Sequence, residues 1–462
     1  MNAAPIVRAP RTTTARAMRT LGLVLAATLA ACPAPPRSPT TTSSPLVGRT
    51  LEIGRTGWAL SGVSGDGTTV FAALTSTPAA GTPAAGAPVT TAIEAVGAGG
   101  RVDAPTWRAE LAGAGGPLAI AAGKLIAALA GRGTVAGVAL RGEPGAVLAA
   151  LDAGTGAPGW KLAIDATEWA VVTSLAAASD GVIVGGSFAG TLRIAGSVVS
   201  SAGKSDGFVA RLTTAGAVAW LIRIGGPGAD AVQGVAASAD RVAVAGTFAP
   251  GADVLGQPLA AVEDRSPAGD GFVAELDANG NRRWAQSFGG PEDDTVAGVA
   301  IDAAGRVAIA ASVRETVHVG GVELVAKGPA DGLVAWWSGD GAPRGAVLLG
   351  GTDFDGLRAI VAHGDRVVVA GFFAGSIRLG ERTVTAGGGD DSFVAALDAT
   401  GRVVDVWPVT GEGREEVAAL AAIPGGFVAG VTHTAAASIG GDAVAAPADP
   451  LSGAAVITRG TR

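Results

Sequence analysis

Residues 270–310, DGFVAELDANGNRRWAQSFGGPEDDTVAGVAIDAAGRVAIA, decide the fold. Phe272, Ala274 and Leu276 alternate with Val273 and Glu275, which is the two-residue period of a strand. Asp277-Ala278-Asn279-Gly280 then turns the chain: the Asp can accept a backbone N–H two residues on, and the Gly tolerates positive φ. A second strand runs around Trp284, Gln286 and Phe288 and is broken by Gly289-Gly290-Pro291. Two more follow, Val296–Ile301 and Arg306–Ala310, joined by Asp302-Ala303-Ala304-Gly305 with the same turn chemistry.

Working outward, the strand that carries Phe272 has counterparts at Val89, Val147, Phe208, Leu333, Phe393 and Ala454, with successive gaps of 58, 61, 64, 61, 60 and 61 residues along the seven. Asp-Gly or Asp-Ser precedes four of them: Asp206-Gly207, Asp270-Gly271, Asp331-Gly332 and Asp391-Ser392. Trp recurs downstream at positions 107, 160, 220, 284 and 407, and the fifth copy lacks it. Four short strands per unit of about 60 residues, with no long 3.6-period apolar stripe, predict propeller blades. The expectation is an all-β, seven-bladed β-propeller of four-stranded antiparallel blades over residues 46–462. The last copy stops after its third strand, Ala454–Thr458, while the opening segment Leu46–Ile53 has no partner of its own. Pairing of these N- and C-terminal strands in one blade would close the ring and remove an open sheet edge.

The pattern Asp-x-Phe-Val-Ala-x-Leu-Asp-x-x-Gly, then Trp, then Gly-Gly, then Val-Ala-x-Asp-x-x-Gly-x-Val-x-Val-Ala-Gly resembles the bacterial SBBP-type β-propeller repeat over residues 204–400. The resemblance implies a propeller in exported or surface proteins and no shared activity. Between the second and third strands of a blade lie long, variable connections, roughly 189–205, 249–269, 314–330, 374–390 and 434–452. Their small apolar pairs and glycines predict an extra hairpin on one rim, where binding residues usually sit.

The N-terminus carries an address. Arg8, Arg11, Arg16 and Arg19 precede the apolar run Leu21–Ala31, too short to span a bilayer but suited to a signal-peptide core. The run ends Leu29-Ala30-Ala31-Cys32, which resembles the lipobox of bacterial lipoproteins and implies cleavage before Cys32 and lipidation of its thiol. Cys32 is the chain's one cysteine, so no internal disulfide is available. Residues 33–45, PAPPRSPTTTSSP, read as a solvated tether. The expected product is an exported lipoprotein of the cell envelope, at the outer membrane, held to the membrane through the lipid. Beyond residue 31 the chain has 29 basic and 40 acidic side chains, which argues against nucleic acid as a partner.

Candidate chemistry is sparse. Asp206, Asp270, Asp331 and Asp391 recur once per blade, as do Asp230, Asp294 and Asp355. Repetition favours a structural role over a ring of calcium ligands, since no calcium-loop spacing accompanies them. His318, His363 and His433 fall at three different repeat registers, reading as scattered surface histidines rather than a metal site. With no Tyr and no Cys nucleophile beyond Cys32, general acid–base groups are few. No catalytic residue, metal or cofactor is assigned. Ala150–Trp160, ALDAGTGAPGW, resembles the tryptophan-docking motif of PQQ-type blades, which locks one blade to the next. Trp336-Trp337 is an unusual aromatic pair: Trp337 takes the place of core Leu276, and Trp336, in the place of Glu275, is a candidate contact residue. The expected function is a monomeric protein- or glycan-binding scaffold without catalysis. The alternatives are a propeller hydrolase, lyase or quinoprotein with its site in the central funnel, or a scaffold like the PQQ-like propeller of outer-membrane assembly machinery.

Overall fold

The structure, a computed structural model, describes residues 49–52, 58–76, 89–97, 105–262, 269–447 and 453–460. The signal segment 1–31, Cys32 and the tether to residue 45 lie outside the described residues. The described chain forms seven antiparallel sheets with four-stranded cores. Blade four shows the plan: Ala231–Ser238, Arg241–Phe248, Asp270–Asp277 and Arg282–Gly289, in spatial order from the ring's centre outward. The innermost strands are Trp58–Gly65, Ala114–Ala121, Trp169–Ala178, Ala231–Ser238, Thr295–Ile301, Gly356–His363 and Glu415–Ile423. Each packs on the next, and Glu415–Ile423 packs on Trp58–Gly65, so the ring is complete.

Strand alternation becomes blade packing. The whole of Asp270–Leu276 is buried. Its Phe272, Ala274 and Leu276 enter the core shared with Ile183 and Val209 of blade three, whereas Val273 enters the core shared with Val299, Ile309 and Leu333 of blade five. A strand that must fill both faces needs Ala and Val as much as large side chains, because the sheets approach closely at the hub. This is why the apolar share of the sequence consists largely of small residues. The turns behave as their chemistry dictates. Asp277 Oδ1 accepts from the amides of Asn279 (2.8 Å) and Asn281 (2.9 Å), and Gly280 takes φ of 82°.

Ring closure is a shared blade. Arg49–Glu52 pairs antiparallel with Ala455–Thr458 as the outermost strand of blade seven: Arg49 faces Thr458 and Glu52 faces Ala455. A polar clamp fastens the seam. Asp442 Oδ2 accepts from Thr50 Oγ1 (2.6 Å) and from an Arg459 guanidinium nitrogen (2.7 Å), and these partners hold its carboxyl below the usual range.

Register corrects two repeat markers. Phe272 pairs with Gly246, and the residues in that place are Ala92, opposite Leu74, in blade one and Ala455, opposite Val431, in blade seven. Val89 and Ala454 therefore miss the aligned position by three residues and by one. In both blades neither the Asp nor the Phe of the repeat remains to anchor an alignment.

The long connections do form hairpins, with a role beyond that of a rim loop. Thr316–Val319 and Val322–Val325 of blade five pair onto the outer strand of blade four, Phe288 opposite Val319 and Gly289 opposite His318. Thr191–Ser200 does the same on blade two, Ser376–Thr385 on blade five, and Ala437–Val444 on blade six. Each hairpin thus clasps its own blade to the preceding one and extends that sheet to six strands. Blade two carries a smaller hairpin, Thr134–Ala139, that the sequence reading did not foresee.

Candidate functional site

The seven innermost strands enclose a central cavity of about 550 Å³. Every one of them carries a β-bulge near its start, at Ser61, Gly116-Pro117, Thr173, Gln233, Ala297, Arg358 and Ala418. A bulge inserts one unpaired residue and re-aims its side chain. Here all seven bulged positions line the cavity. Past this ring the lining is Gly, Ala, Val, Leu, Ile and Ser. Several ring side chains are occupied by the fold. Thr173 Oγ1 donates to Val232 O of the next blade at 2.7 Å, and Gln233 exchanges hydrogen bonds with Thr247 at 3.1 and 3.0 Å.

Blade six departs from the repeat. Arg358 is the one ionisable side chain among the described residues that line the cavity. Its guanidinium lies over the Phe372 ring, 4.9 Å from the centroid, and Nη1 is 3.1 Å from Glu416 Oε1. Glu416 is also paired with Arg414 at 3.3 Å. Phe372 occupies the place taken by Thr75, Ser187, Thr247, Ser312 and Thr432 in five blades and by Ala130 in blade two, as the strand registers show. Phe354, 46% exposed, stacks on Phe372 with centroids 5.6 Å apart. Sequence reading missed this group. The signal was available in one comparison: Arg358 against Gln233, Ala297 and Ala418 at the same repeat position.

The repeating acids are brought together in a way the sequence did not indicate. In four blades the Asp at the start of the third strand lies beside the acid that precedes or opens the next blade's inner strand, giving Asp206–Asp230, Asp270–Asp294, Asp331–Asp355 and Asp391–Glu415. All eight are buried. The first member holds the preceding loop: the amides of Ala202 (2.5 Å), Val262 (2.6 Å), Lys327 (3.0 Å) and Gly387 (2.6 Å) donate to Asp206, Asp270, Asp331 and Asp391 in turn. Of the second members, Asp230 is well supplied, by the amides of Gly226 (2.7 Å) and Ala249 (2.8 Å). Asp294 has the Gly290 and Arg314 amides nearby, but neither forms an aligned bond. Desolvation, reinforced by the neighbouring carboxyl, raises Asp230 above the usual range, Asp294 to about 7, Asp355 to about 6 and Glu415 to about 8. Burial and the adjacent acid thus both favour the protonated form of the second member.

The facing glycine explains part of each Gly-Gly pair. A Cβ on Gly225, Gly289 or Gly350 would run into the carboxylate of Asp206, Asp270 or Asp331. Blade two solves the same problem in reverse. Gly145 stands where the Asp would be, and Asp165 stands in the facing glycine's place, its carboxylate accepting from the Arg141 (2.8 Å) and Gly142 (2.6 Å) amides. Among the described residues no group of three or more His, Cys, Asp or Glu is placed to hold a metal ion.

Tryptophans lock the blades. Trp107, Trp160 and Trp220 each donate Nε1–H to a carbonyl in the next blade's turn, at Ala153, Thr214 and Ala278 (2.9–3.0 Å). Their rings lie against Gly156, Gly216 and Gly280 of those turns. The Ala150–Trp160 segment takes part twice, receiving Trp107 on Gly156 and supplying Trp160. Blade five explains Trp336. Where blade four has Trp284 opposite Glu275, blade five has Gly345 opposite Trp336. Trp336 thus fills from the third strand the space the fourth strand leaves empty, and lies against Gly401 of blade six. At 3% exposure Trp336 presents no surface, which corrects its candidacy as a contact residue. His433 is likewise buried rather than superficial, its Nδ1 2.9 Å from Ala435 O. His318 sits on a clasping hairpin 3.5 Å from Glu323, and His363 ends the inner strand of blade six.

No protein-family profile matches this sequence, and no curated protein matches it. Solved structures share its architecture at low identity. The β-propeller domain of the trilobed protease from Pyrococcus furiosus is 10% identical, covering 76% of this chain and 92% of that one, with a TM-score of 0.39. A europium-containing methanol dehydrogenase is 13% identical, covering 83% and 84%, with a TM-score of 0.35. The acylaminoacyl peptidase of Pyrococcus horikoshii is 10% identical, covering 84% of this chain but 52% of that one, with a TM-score of 0.45. Likenesses of this depth carry no activity, substrate or cofactor across to this chain.

Proposed function

We propose that this chain is a lipid-anchored binding scaffold of the bacterial cell envelope, in which a rigid propeller presents the cavity mouth to a protein or glycan partner. The lining of the central cavity supports this reading. An enzyme working in the funnel needs a converging acid and base, whereas the seven bulged positions supply hydroxyl, amide, apolar and guanidinium groups and no carboxyl. The repeating acids lie instead between blades, where Asp206, Asp230, Asp270, Asp331 and Asp391 accept from backbone amides. Rigidity suits the role, because binding to a preorganised surface avoids the ordering cost that a mobile one incurs. The likeness of the repeat to the SBBP type and of Leu29–Cys32 to a lipobox supports an envelope address, with the proposed scaffold held at the outer membrane by an acyl chain on Cys32.

Two measurements test the reading together. Cys32→Ser is expected to abolish palmitate labelling and release the protein from the membrane fraction; continued labelling and membrane partition would refute the anchor. Crosslinking in intact cells followed by affinity capture is expected to return one stoichiometric envelope protein or glycan. Turnover of an envelope substrate by the purified protein would replace the scaffold with an enzyme.

A further inference from the structure

We infer that the Arg358–Phe372–Phe354 ledge of blade six is a binding subsite for an oligosaccharide that carries a carboxylate. The inference rests on the scaffold reading and assigns it a ligand class. In a repeat protein, residues present in every blade are explained by the fold, and residues that break the repeat are free to serve something else. Three such departures meet at one place. Arg358 is the charged member of an otherwise uncharged bulge ring, Phe372 replaces a hydroxyl residue, and Phe354 stands where other blades have Ala229, Asp293 and Arg414.

The chemistry of the ledge selects the ligand. Arg358 and Arg414 share the carboxylate of Glu416, and no acid lines the cavity beside Arg358. Arg358 is 38% exposed and Glu416 28%, so their pairing is a solvent-screened one of small worth, and an incoming carboxylate can compete for the guanidinium. The Phe372 ring beneath holds that guanidinium in place, as arginine stacked on an aromatic face is held. Phe354 adds an exposed flat apolar face beside the charge. A cavity of about 550 Å³ has room for two or three sugar rings. Its lining carries no second charged side chain and past the bulge ring is chiefly small and apolar, with the Ser64 hydroxyl among it. A sugar ring with its C–H face on Phe354 and its carboxylate on Arg358 uses every feature of the site.

Isothermal titration calorimetry on the full mature protein in detergent tests the assignment. Its probes are trigalacturonate, the neutral trisaccharide maltotriose and a hexa-aspartate peptide. Trigalacturonate is expected to bind, more weakly as salt rises, and maltotriose at least about tenfold more weakly. Arg358→Gln should reduce trigalacturonate affinity by about tenfold or more, as removal of a charge-assisted hydrogen bond does. Phe354→Ala should reduce it several-fold. Phe354 is on the surface and Gln is close in size to Arg, so unchanged melting curves are expected to show that both variants fold. Absence of trigalacturonate binding at millimolar concentration, equal binding of maltotriose, or indifference to Arg358→Gln would overturn the proposal. Tighter binding of the hexa-aspartate peptide would overturn it in favour of an acidic peptide. If envelope capture still returns a partner with Arg358→Gln, only this subsite assignment fails and the scaffold reading stands.

Discussion

A chain lacking residues 46–54 is expected to melt roughly 5 °C below the intact protein and to aggregate on heating, whereas a chain lacking only residues 33–44 is expected to melt as the intact protein does. The shorter deletion removes only a Pro-, Ser- and Thr-rich segment that its composition reads as a tether. The longer one removes the strand Arg49–Glu52, which completes blade seven against Ala455–Thr458, together with Thr50, which helps to hold Asp442 beside Arg459. Four paired residues at about 1 kcal/mol for each ladder bond, with the loss of the clamp, amount to several kcal/mol, and that corresponds to the stated shift in a chain of this size. The exposed edge of Ala455–Thr458 then becomes a template for pairing with other chains, which is the source of the aggregation. Differential scanning calorimetry and light scattering on both deletions measure the two effects. Equal melting of the two deletion proteins would show that the seam contributes nothing to the ring.

The protein is also expected to be more stable at about pH 5 than at about pH 8.5, unlike a protein whose buried carboxyls are all ion-paired. Asp294, Asp355 and Glu415 have folded-state values of about 7, 6 and 8, raised chiefly by desolvation and secondarily by Asp270, Asp331 and Asp391. Further negative charge reaches Asp294 from Asp293 and Asp355 from Asp353. Asp230 is raised by burial and by Asp206, with Arg223 opposing. In the unfolded chain each ionises near 4. Between that value and the folded one, the native state holds a proton the unfolded state has released, so stability falls as pH rises. The contribution is complete below about pH 4, is lost progressively up to about pH 8, and changes no further above that. Carboxyls held low, such as Asp398 at about 2 and Asp442, are ionised in both states throughout this range and leave the slope alone. Each pKa unit is about 1.4 kcal/mol, so the pairs together account for several kcal/mol. Asp294→Asn, which keeps the shape and cannot ionise, should flatten part of the slope, and Asp294→Asn with Glu415→Gln should flatten more. Thermal melts across the range measure it. Melting temperatures that rise from pH 5 to pH 8.5 would show that these carboxyls are not raised in the folded protein.

Much of this architecture was legible because propellers write their structure locally. A blade is four short strands joined by tight turns, so the alternation at Phe272–Leu276 and the turns at Asp277–Gly280 and Asp302–Gly305 needed no tertiary information. The blade count followed from the period. The closure of the ring followed from arithmetic: a last copy one strand short and an opening strand with no partner leave one antiparallel solution. Where the local signal was weak the register slipped, by three residues at Val89 and by one at Ala454, because a strand of small residues without the repeat's Asp and Phe reads almost equally well a few places along.

Contacts between blades could be decided only by the tertiary structure, because they join residues whose separation carries no local pattern. Trp336 could not be told from a surface residue in the sequence. Its burial depends on Gly345 across the strand pair and Gly401 in the next blade. Asp270 and Asp294 are each ordinary in sequence, and only the docking of blade five on blade four places two carboxyls in one dry site. The hairpins that looked like rim loops became clasps because the outer strand of the preceding blade offered them a free edge. Arg358 is one arginine among many until a bulge turns it toward a cavity that residues from all seven blades enclose. Strand periodicity and turn chemistry act over a few residues, which a sequence displays directly. The burial, paired charge and cavity lining that give these side chains their roles arise between strands and blades whose residues lie roughly ten to several hundred positions apart, and exist only once the ring has closed.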